Sequence, residues 1–204
     1  MNTTSRQQHW EDVYARKRED EVSWFQPEAA VSLELVGRCG LALDAKILDV
    51  GGGASRLVDG LLDRGFEDVT VLDLSAAALA KARERLGERS QTVTWIAGDV
   101  TTFDPPARYA LWHDRAVFHF LTSPADRSAY VRVLEHALAE EGHVIVGTFA
   151  PDGPERCSGL EVVRYDAPAL AAALGLRLVE TLRHEHVTPG GKVQPFTFVR
   201  LVRS

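Results

Sequence analysis

Three glycines and two aspartates form the pattern with the clearest chemical meaning in this sequence. Gly51 and Gly53 lie in the segment Asp49-Val-Gly-Gly-Gly53 and let the backbone approach a ligand where any side chain would collide. Asp73 follows about 20 residues later, the spacing at which an acidic side chain accepts hydrogen bonds from a ribose. The pattern therefore predicts a site for a nucleotide-type cofactor.

The residues around the glycines indicate which cofactor this is. A dinucleotide site has a third glycine, which lets a helix N-terminus receive a pyrophosphate, but Arg56 stands at that place here. Asp49 adds a carboxylate to the turn, which suits a cationic ligand and repels a phosphate. S-adenosylmethionine carries a sulfonium and an ammonium and no phosphate, so the pattern favours it. A nicotinamide or other nucleotide cofactor, or a glycine turn without a ligand, remains as an alternative.

Alternating strand and helix signals position these residues at one edge of a sheet. Buried strands are predicted over residues 47–50, 69–73, 92–97, 109–112 and 143–149. Ser55 and Ser75 are expected to cap the helices after the first two strands, and Gly142 to end a helix over about 125–140. The short connection Thr188-Pro-Gly-Gly191 permits only an antiparallel hairpin between residues 176–187 and 196–202. The sequence thus predicts an α/β fold, a doubly wound and mostly parallel seven-stranded sheet ending in an antiparallel hairpin.

An aromatic-rich segment precedes the first core strand. Helices are predicted over about 6–18 and 28–38, and Trp10, Tyr14, Trp24 and Phe25 lie in or between them. These rings either cover the cofactor edge of the sheet as a lid or pack against its outer surface. We expect one domain over residues 1–204, with an N-terminal helical lid over 1–40 and a Rossmann-like core over 41–204.

Composition restricts the class of partner. The chain has 204 residues, 45% hydrophobic content and a net charge of −6 without a basic run, so nucleic acid is not an expected partner. The sequence shows neither a signal-peptide apolar core nor an apolar run of membrane length. With only two cysteines, Cys39 and Cys157, both are expected to stay reduced in a cytoplasm. We expect a cytoplasmic protein, monomer or homodimer, with a small-molecule substrate and no metal.

With these elements in order, the chain resembles the class I, Rossmann-like S-adenosylmethionine-dependent methyltransferases over essentially its whole length. Asp49–Gly53 is similar to the family's first motif and Asp73 to its ribose-binding acid. Gly98-Asp99-Val100 resembles the segment that meets the adenine amine and a ring nitrogen. The resemblance implies that S-adenosylmethionine, which becomes S-adenosylhomocysteine, is bound by Trp10, Trp24, Asp49, Gly51, Gly52, Gly53, Asp73, Leu74, Asp99 and Val100.

A second motif bears on the acceptor. Trp112-His-Asp-Arg-Ala-Val117 is similar to the Trp-Asp-Arg-Gly-Ala segment of thiopurine and tellurite-type methyltransferases, which act on soft sulfur, selenium or tellurium nucleophiles. This chain departs from that segment because His113 is inserted and Ala116 replaces the glycine. A related subgroup of protein-lysine methyltransferases carries a similar acidic motif, so the acceptor class stays open.

Methyl transfer from a sulfonium is a direct displacement that needs an aligned, dehydrated nucleophile and, for a thiol, a base. His113 and Asp114, with Arg115 beside them, are the catalytic candidates as base or orienting group. The structural alternative is that His113 bonds the backbone and Asp114 pairs with Arg115. The sequence is compatible with both the catalytic and the structural role of these residues.

The substrate candidates are His119 and three residues of the loop after the fifth strand, where ligands of open α/β sheets bind. These loop residues are Cys157, Arg164 and Tyr165. His119, between Phe118 and Phe120, is alternatively a satisfied core histidine, and the loop is alternatively an ordinary surface segment. A metal site from His119, Cys157, His184 and His186 lacks ligand spacing and is not expected.

The sequence therefore predicts an S-adenosylmethionine-dependent methyltransferase with a small-molecule acceptor, for which a soft thiol or selenium nucleophile is the first candidate. The alternatives are a protein-lysine methyltransferase, a non-catalytic module that binds S-adenosylmethionine, and an NAD-dependent oxidoreductase. Arg56 and the terminal hairpin disfavour the last of these.

Overall fold

A seven-stranded sheet forms the centre of the protein in the computed structural model, which describes residues 3–203. Its strands are β1 (Ile47–Val50), β2 (Val69–Asp73), β3 (Val93–Ala97), β4 (Tyr109–Arg115), β5 (Leu138–Phe149), β8 (Arg177–Val187) and β9 (Val193–Val202). The order across the sheet is β3-β2-β1-β4-β5-β9-β8. Two short strands, β6 (Arg156–Cys157) and β7 (Leu160–Glu161), form a separate ribbon.

The pairing confirms the predicted topology. Strands β1 to β5 are parallel, and β9 runs antiparallel to both β5 and β8. Val50 of β1 lies beside Leu72 of β2 on one side and beside Asp114 of β4 on the other. The carboxyl ends of these three strands therefore meet at one edge of the sheet, where an open α/β fold binds ligands.

The helices are α1 (Thr3–Arg16), α2 (Ala30–Gly37), α3 (Leu57–Asp63), α4 (Ala76–Leu86), α5 (Pro124–Ala137) and α6 (Ala167–Leu174). The Oγ of Ser75 accepts a hydrogen bond from the amide of Ala78, which confirms the predicted cap of α4. The predicted cap of α3 was wrong, because the N-cap residue is Arg56. Ser55 precedes this position, and its Oγ accepts a hydrogen bond from the amide of Leu57.

The boundaries of α5, β5 and β4 differ from the predicted ones. Helix α5 ends at Ala137 and β5 begins at Leu138, which is extended and pairs with Tyr109 of β4, so Gly142 lies inside β5. Strand β4 does not end at Trp112 but continues to Arg115. His113, Asp114 and Arg115 therefore alternate between the faces of a strand and do not belong to a following loop.

Apolar side chains fill both faces of the sheet, as its strand alternation requires. Leu48, Val50 and Trp112 belong to one core cluster, which also contains residues of α5 and α6. Ile47 and Leu111 belong to the other, which contains residues of α2 and α3. Among the described residues, no helix combines the length and the apolar character needed to cross a membrane.

Candidate active site

The three glycines after β1 accommodate two carboxylates at the sheet edge. A Cβ at Gly52 would overlap Oδ2 of Asp49, and a Cβ at Gly53 would overlap Oδ2 of Asp73. Gly51 has a φ of +69°, and a Cβ there would overlap the side chain of Val117. The glycine turn thus brings the backbone against Asp49 and Asp73, in addition to the close ligand approach that the sequence predicts.

Asp49 is buried with one oxygen bound and one free. Its Oδ1 lies 2.7 Å from Nδ1 of His113, whose Nε2 lies 2.8 Å from Oγ of Ser32 on α2. All three side chains are buried. Oδ2 of Asp49 has no hydrogen-bond partner among the described residues, although a buried carboxylate oxygen normally has one. The arrangement leaves a fixed, unsatisfied acceptor that suits a cationic donor.

Asp73 lies beside this turn at the end of β2. Burial raises the pKa of its carboxyl to about 7, and the charges of Asp49 and Glu11 add to the rise. The amide of Ser75, 2.8 Å from Oδ1, and the amide of Gly53 act in the opposite direction. Asp73 is thus held by backbone donors at the edge of the sheet, where a ribose-binding acid is expected.

Asp99, just after β3, is the third acidic residue at this edge. Its Oδ1 accepts bonds from the amide and the hydroxyl of Thr101, both at 2.8 Å. Its Oδ2 pairs with Arg6 of α1 at 3.2 Å, and Arg6 also pairs with Asp126 at 3.1 Å. The first helix is therefore anchored to the residue that the resemblance assigns to the adenine.

A cavity beside Asp73 and Asp99 lies at this edge of the sheet. Seven of the ten predicted cofactor residues line it: Trp10, Trp24, Gly51, Asp73, Leu74, Asp99 and Val100. A second cavity shares Tyr14, Trp24, Val50, Gly51 and Arg115 with the first, and Asp49 and His113 also line it. Gly52 and Gly53 line neither cavity and instead make room for the two carboxylates.

Aromatic side chains from the N-terminal segment cover the first cavity. The Trp10 ring meets Trp24 edge to face at 5.5 Å and Phe120 at 5.1 Å. Nε1 of Trp24 donates to Oη of Tyr14 at 3.2 Å, and burial raises the pKa of Tyr14. Trp10, Tyr14 and Trp24 thus contact one another and line the first cavity, and the lid over it stays a prediction.

Glu11 attaches α1 to the start of α4. One of its oxygens accepts from the amide of Ala76 at 2.7 Å, and the other from the amide of Ala77 and the hydroxyl of Ser75. A carboxylate at a helix N-terminus satisfies free amides and interacts favourably with the helix dipole. Glu11 therefore holds the covering helix beside Asp73.

Arg115 extends from the end of β4 between the two cavities and lines both. Its Nη1 donates to the carbonyl oxygen of Trp24 at 2.9 Å, and its guanidinium lies 5.1 Å from the centre of the Phe196 ring. Cys157 lines the first cavity on the same side, and burial raises the pKa of its thiol to about 11. A neutral thiol and a buried cation thus meet at this end of the cavity.

Asp114 does not take the place expected of a base. Its Oδ1 accepts from the amide of Val117 at 2.8 Å, and its Oδ2 accepts from the amide of Phe118 and the hydroxyl of Tyr130. The side chain is fully buried and lines neither cavity, because its position on β4 points it into the core. Its contacts support the turn after β4, and it does not pair with Arg115 as the structural alternative proposed.

Three of the four substrate candidates also lie outside the lining of both cavities. His119 packs between Phe120 and Phe149, where burial, and to a lesser extent Arg115, lowers its pKa to about 3. Tyr165 packs on Phe118, and Arg164 bonds the carbonyl of Gly153 and pairs with Glu155 in its own loop. His119 is therefore a core histidine, but not a satisfied one, because its Nε2 has no hydrogen-bond partner among the described residues. Of the four candidates, only Cys157 reaches the first cavity.

Several residues of the site were missed from the sequence. Arg6, Trp10 and Tyr14 share one face of α1 at intervals of four residues, which is a signal that could have added Arg6. The amphipathic pattern carried no sign of the roles of Glu11 and Ser32. Within the described ranges, no group of three or more His, Cys, Asp or Glu side chains could hold a metal ion.

Comparison with known proteins finds a family model and a relative that are similar to part of this chain. The family described as "Methyltransferase domain" matches residues 47–142. The eEF1A lysine and N-terminal methyltransferase of Mus musculus is 24% identical over 140 residues, which cover 67% of this chain. The chain spans only 19% of the length of that relative.

Solved structures share the fold at low sequence identity. An S-adenosylmethionine-dependent methyltransferase from Anabaena variabilis covers 100% of this chain and 96% of its own, with a TM-score of 0.78 at 12% identity. The N-methyltransferase NodS of Bradyrhizobium japonicum, in complex with S-adenosylhomocysteine, covers 94% of this chain and 96% of its own, with a TM-score of 0.69 at 17% identity.

Proposed function

Because the chain carries a methyltransferase domain with the class I, Rossmann-like fold, as its motifs predict, we propose that it is an S-adenosylmethionine-dependent methyltransferase acting on a small molecule. The observation that carries the proposal is the cavity at the carboxyl ends of β1, β2 and β4, which collects most of the predicted cofactor residues under the aromatic cover of α1. The structure of the similar protein NodS is a complex with S-adenosylhomocysteine, the demethylated product of the cofactor, and this supports the same ligand here.

The residues present fit this cofactor. Oδ2 of Asp49 is a buried, unpartnered acceptor and suits an ammonium group. Asp73 and Asp99 offer carboxylates for the ribose and the adenine amine, and the apolar lining suits a purine ring. The cofactor supplies an electrophilic methyl group on a sulfonium. Asp49, Asp73 and Asp99 then fix its position, while Trp10 and Trp24 keep water from the reacting end.

The acceptor end of the cavity supports a small molecule. Trp10, Trp24, Phe120, Cys157 and Arg115 enclose it, and α1 lies over it. His113 has both ring nitrogens engaged and Asp114 has both oxygens engaged, so neither offers a free base. The proposal therefore assigns positioning to His113 and requires that the acceptor arrive with an available lone pair. A soft sulfur or selenium nucleophile that enters the site already ionised, as a thiolate or selenolate, meets that requirement and remains the first candidate.

A protein-lysine acceptor is the second candidate, supported by the similarity to the eEF1A lysine and N-terminal methyltransferase. A non-catalytic module that binds the cofactor is the third. The division into a lid over 1–40 and a core over 41–204, the cytoplasmic location, the monomer or homodimer, and the lack of nucleic-acid or membrane partners remain proposals from the sequence.

Two measurements separate these functions. Calorimetric titration with S-adenosylmethionine, S-adenosylhomocysteine and NAD should give micromolar binding of the two adenosyl ligands and none of NAD. Release of S-adenosylhomocysteine should then be followed on panels of small thiols and selenols, small amines, and lysine peptides. Turnover of lysine peptides alone favours the second candidate, and tight cofactor binding without turnover on any panel favours the third. Binding of NAD alone contradicts the proposed function.

A further inference from the structure

Arg115 is a buried cation with unused hydrogen-bond donors. Its Nη1 donates to the carbonyl of Trp24, but Nε and Nη2 have no partner among the described residues. Among the described residues, no carboxylate forms an ion pair with Arg115, whereas most other arginines pair with Asp or Glu. Burial lowers the pKa of Arg115 to about 10, so the guanidinium is still charged at neutral pH.

An unpaired buried charge is costly and calls for a partner. Removing a charge from water without a counter-charge costs several kcal/mol, and the Phe196 ring below the guanidinium compensates only part of that cost. Nε and Nη2 are the two donors on one edge of the guanidinium, and this edge binds a carboxylate through two parallel hydrogen bonds. The free edge therefore has the chemistry of a carboxylate site.

Arg115 lines both cavities, and its surroundings in the first cavity favour the acceptor end as the place of this site. The first cavity has its carboxylates, Asp73 and Asp99, near the ends of β2 and β3. Around Arg115 the lining is Trp24, Phe120 and the neutral Cys157, which gives no negative charge. Another guanidinium, that of Arg56, lines only the second cavity beside Asp49, where the amino-acid part of the cofactor is expected.

We propose that the methyl acceptor is a small molecule carrying a carboxylate, and that Arg115 binds this group through Nε and Nη2. The inference deepens the proposed function and rests on it. A carboxylate would neutralise the buried guanidinium and fix one end of the acceptor against Trp24. A lysine ammonium in the same place would meet a buried like charge, so the site selects against a cationic acceptor.

The test compares carboxylates with uncharged analogues of the same shape. 2-Mercaptobenzoate and 2-aminobenzoate, each beside its methyl ester, are titrated into the protein saturated with S-adenosylhomocysteine. The wild type should bind at least one acid ten times more tightly than its ester. Arg115→Gln should abolish this preference, and Arg115→Lys should keep only part of it because an ammonium lacks the two-donor edge. Arg203→Gln removes an arginine that bonds only backbone carbonyls of residues 135–139, and it should leave the preference intact.

The other possible source of a carboxylate is the amino-acid group of the cofactor, and measurements of cofactor affinity test this alternative. S-adenosylhomocysteine should bind Arg115→Gln within about threefold of the wild type, and 5′-methylthioadenosine, which lacks the amino-acid group, should do the same. A tenfold loss for S-adenosylhomocysteine alone would mean that Arg115 binds the cofactor's own carboxylate, which overturns the proposal. Equal binding of acids and esters by the wild type overturns it as well. Failure of S-adenosylhomocysteine to bind the wild type refutes the proposed function instead, and the acid–ester comparison is then made on the protein alone.

Discussion

Nδ1 of His113 lies 2.7 Å from Oδ1 of Asp49, so that a residue of β4 fixes the carboxylate of the neighbouring strand β1. His113, which is inserted relative to the thiopurine-type motif, thus holds the carboxylate of Asp49. Its second nitrogen, bonded to Ser32, fixes the ring in turn. The free oxygen of Asp49 owes its orientation to this chain of contacts.

Replacing His113 should weaken cofactor binding because its ring holds the carboxylate of Asp49 in place. His113→Leu deletes a hydrogen bond to a buried carboxylate, worth about 1.5–3 kcal/mol, and leaves Asp49 free to turn. We expect roughly tenfold weaker binding of S-adenosylhomocysteine by calorimetry, on the basis of about 1.4 kcal/mol per factor of ten. Ser32→Ala removes only the outer contact and should show a smaller loss. Unchanged affinity in a folded His113→Leu protein would contradict this role.

The raised pKa of Asp73 predicts a pH dependence of stability. Because its folded value is about 7 and the unfolded value is near 3.8, the folded protein binds the extra proton between these limits. The stabilisation is present below the unfolded pKa and is lost as the pH rises towards 7, with a slope of up to about 1.4 kcal/mol per pH unit. Asp114, whose pKa burial raises to about 6, contributes with the same sign.

Asp73→Asn should therefore flatten, though not abolish, the fall in stability between pH 4 and 7. Urea unfolding of the wild type and the variant across this range measures the difference. The same variant should bind S-adenosylhomocysteine poorly at pH 8, where the wild-type carboxylate is ionised. Identical slopes in the two proteins would show that Asp73 does not hold its proton in the folded state.

The two inner glycines should tolerate no side chain. Gly52→Ala and Gly53→Ala each place a methyl group on a buried carboxylate oxygen, which should cost about 1–3 kcal/mol of unfolding free energy and displace Asp49 or Asp73. Cofactor affinity should fall with stability in both variants. Gly37→Ala is the matched control, since a Cβ there meets no heavy atom within 4 Å. Thermal melting and calorimetry on the three variants test the contrast.

Glu11 should decide whether α1 stays on the cavity. Glu11→Ala removes the contacts to the start of α4, worth about 1–2 kcal/mol, and we expect the amides of α1 to exchange with solvent about tenfold faster. Asp12→Ala, at the adjacent partly exposed position, removes only contacts with Gln8 and Arg16 on the same helix. Equal exchange rates in the two variants would exclude this anchoring role.

Asp114 is expected to act on stability more than on turnover. Asp114→Asn loses an ionised acceptor of two amides and of the Tyr130 hydroxyl, so the unfolding free energy should fall by about 1–3 kcal/mol. The rate per folded molecule should change less than tenfold at saturating acceptor. A loss of several orders of magnitude in kcat with unaltered melting would restore the interpretation of Asp114 as a base.

Local sequence patterns were sufficient to predict the fold and to indicate the edge of the sheet at which the cofactor is expected. Strand–helix alternation and the Thr188–Gly191 connection specified a parallel sheet with an antiparallel end, because side-chain periodicity and turn length are local properties of the chain. The spacing of Asp49, Gly51, Asp73 and Asp99 followed the same logic, since each residue lies at the end of a predicted strand. The extent of β4, the boundary between α5 and β5, the cap of α3 and the β6–β7 ribbon escaped it.

Which side chains at the strand ends face the cavity depends on the tertiary structure. Asp114 and Arg115 are neighbours in sequence, yet one caps a turn within the core and the other lines both cavities with two free donors. The reason is that successive residues of a strand point to opposite faces, and the motif gave no indication that β4 continues through them. Arg6, Glu11 and Ser32 join the site from distant helices, and such long-range contacts leave no periodic trace in the chain.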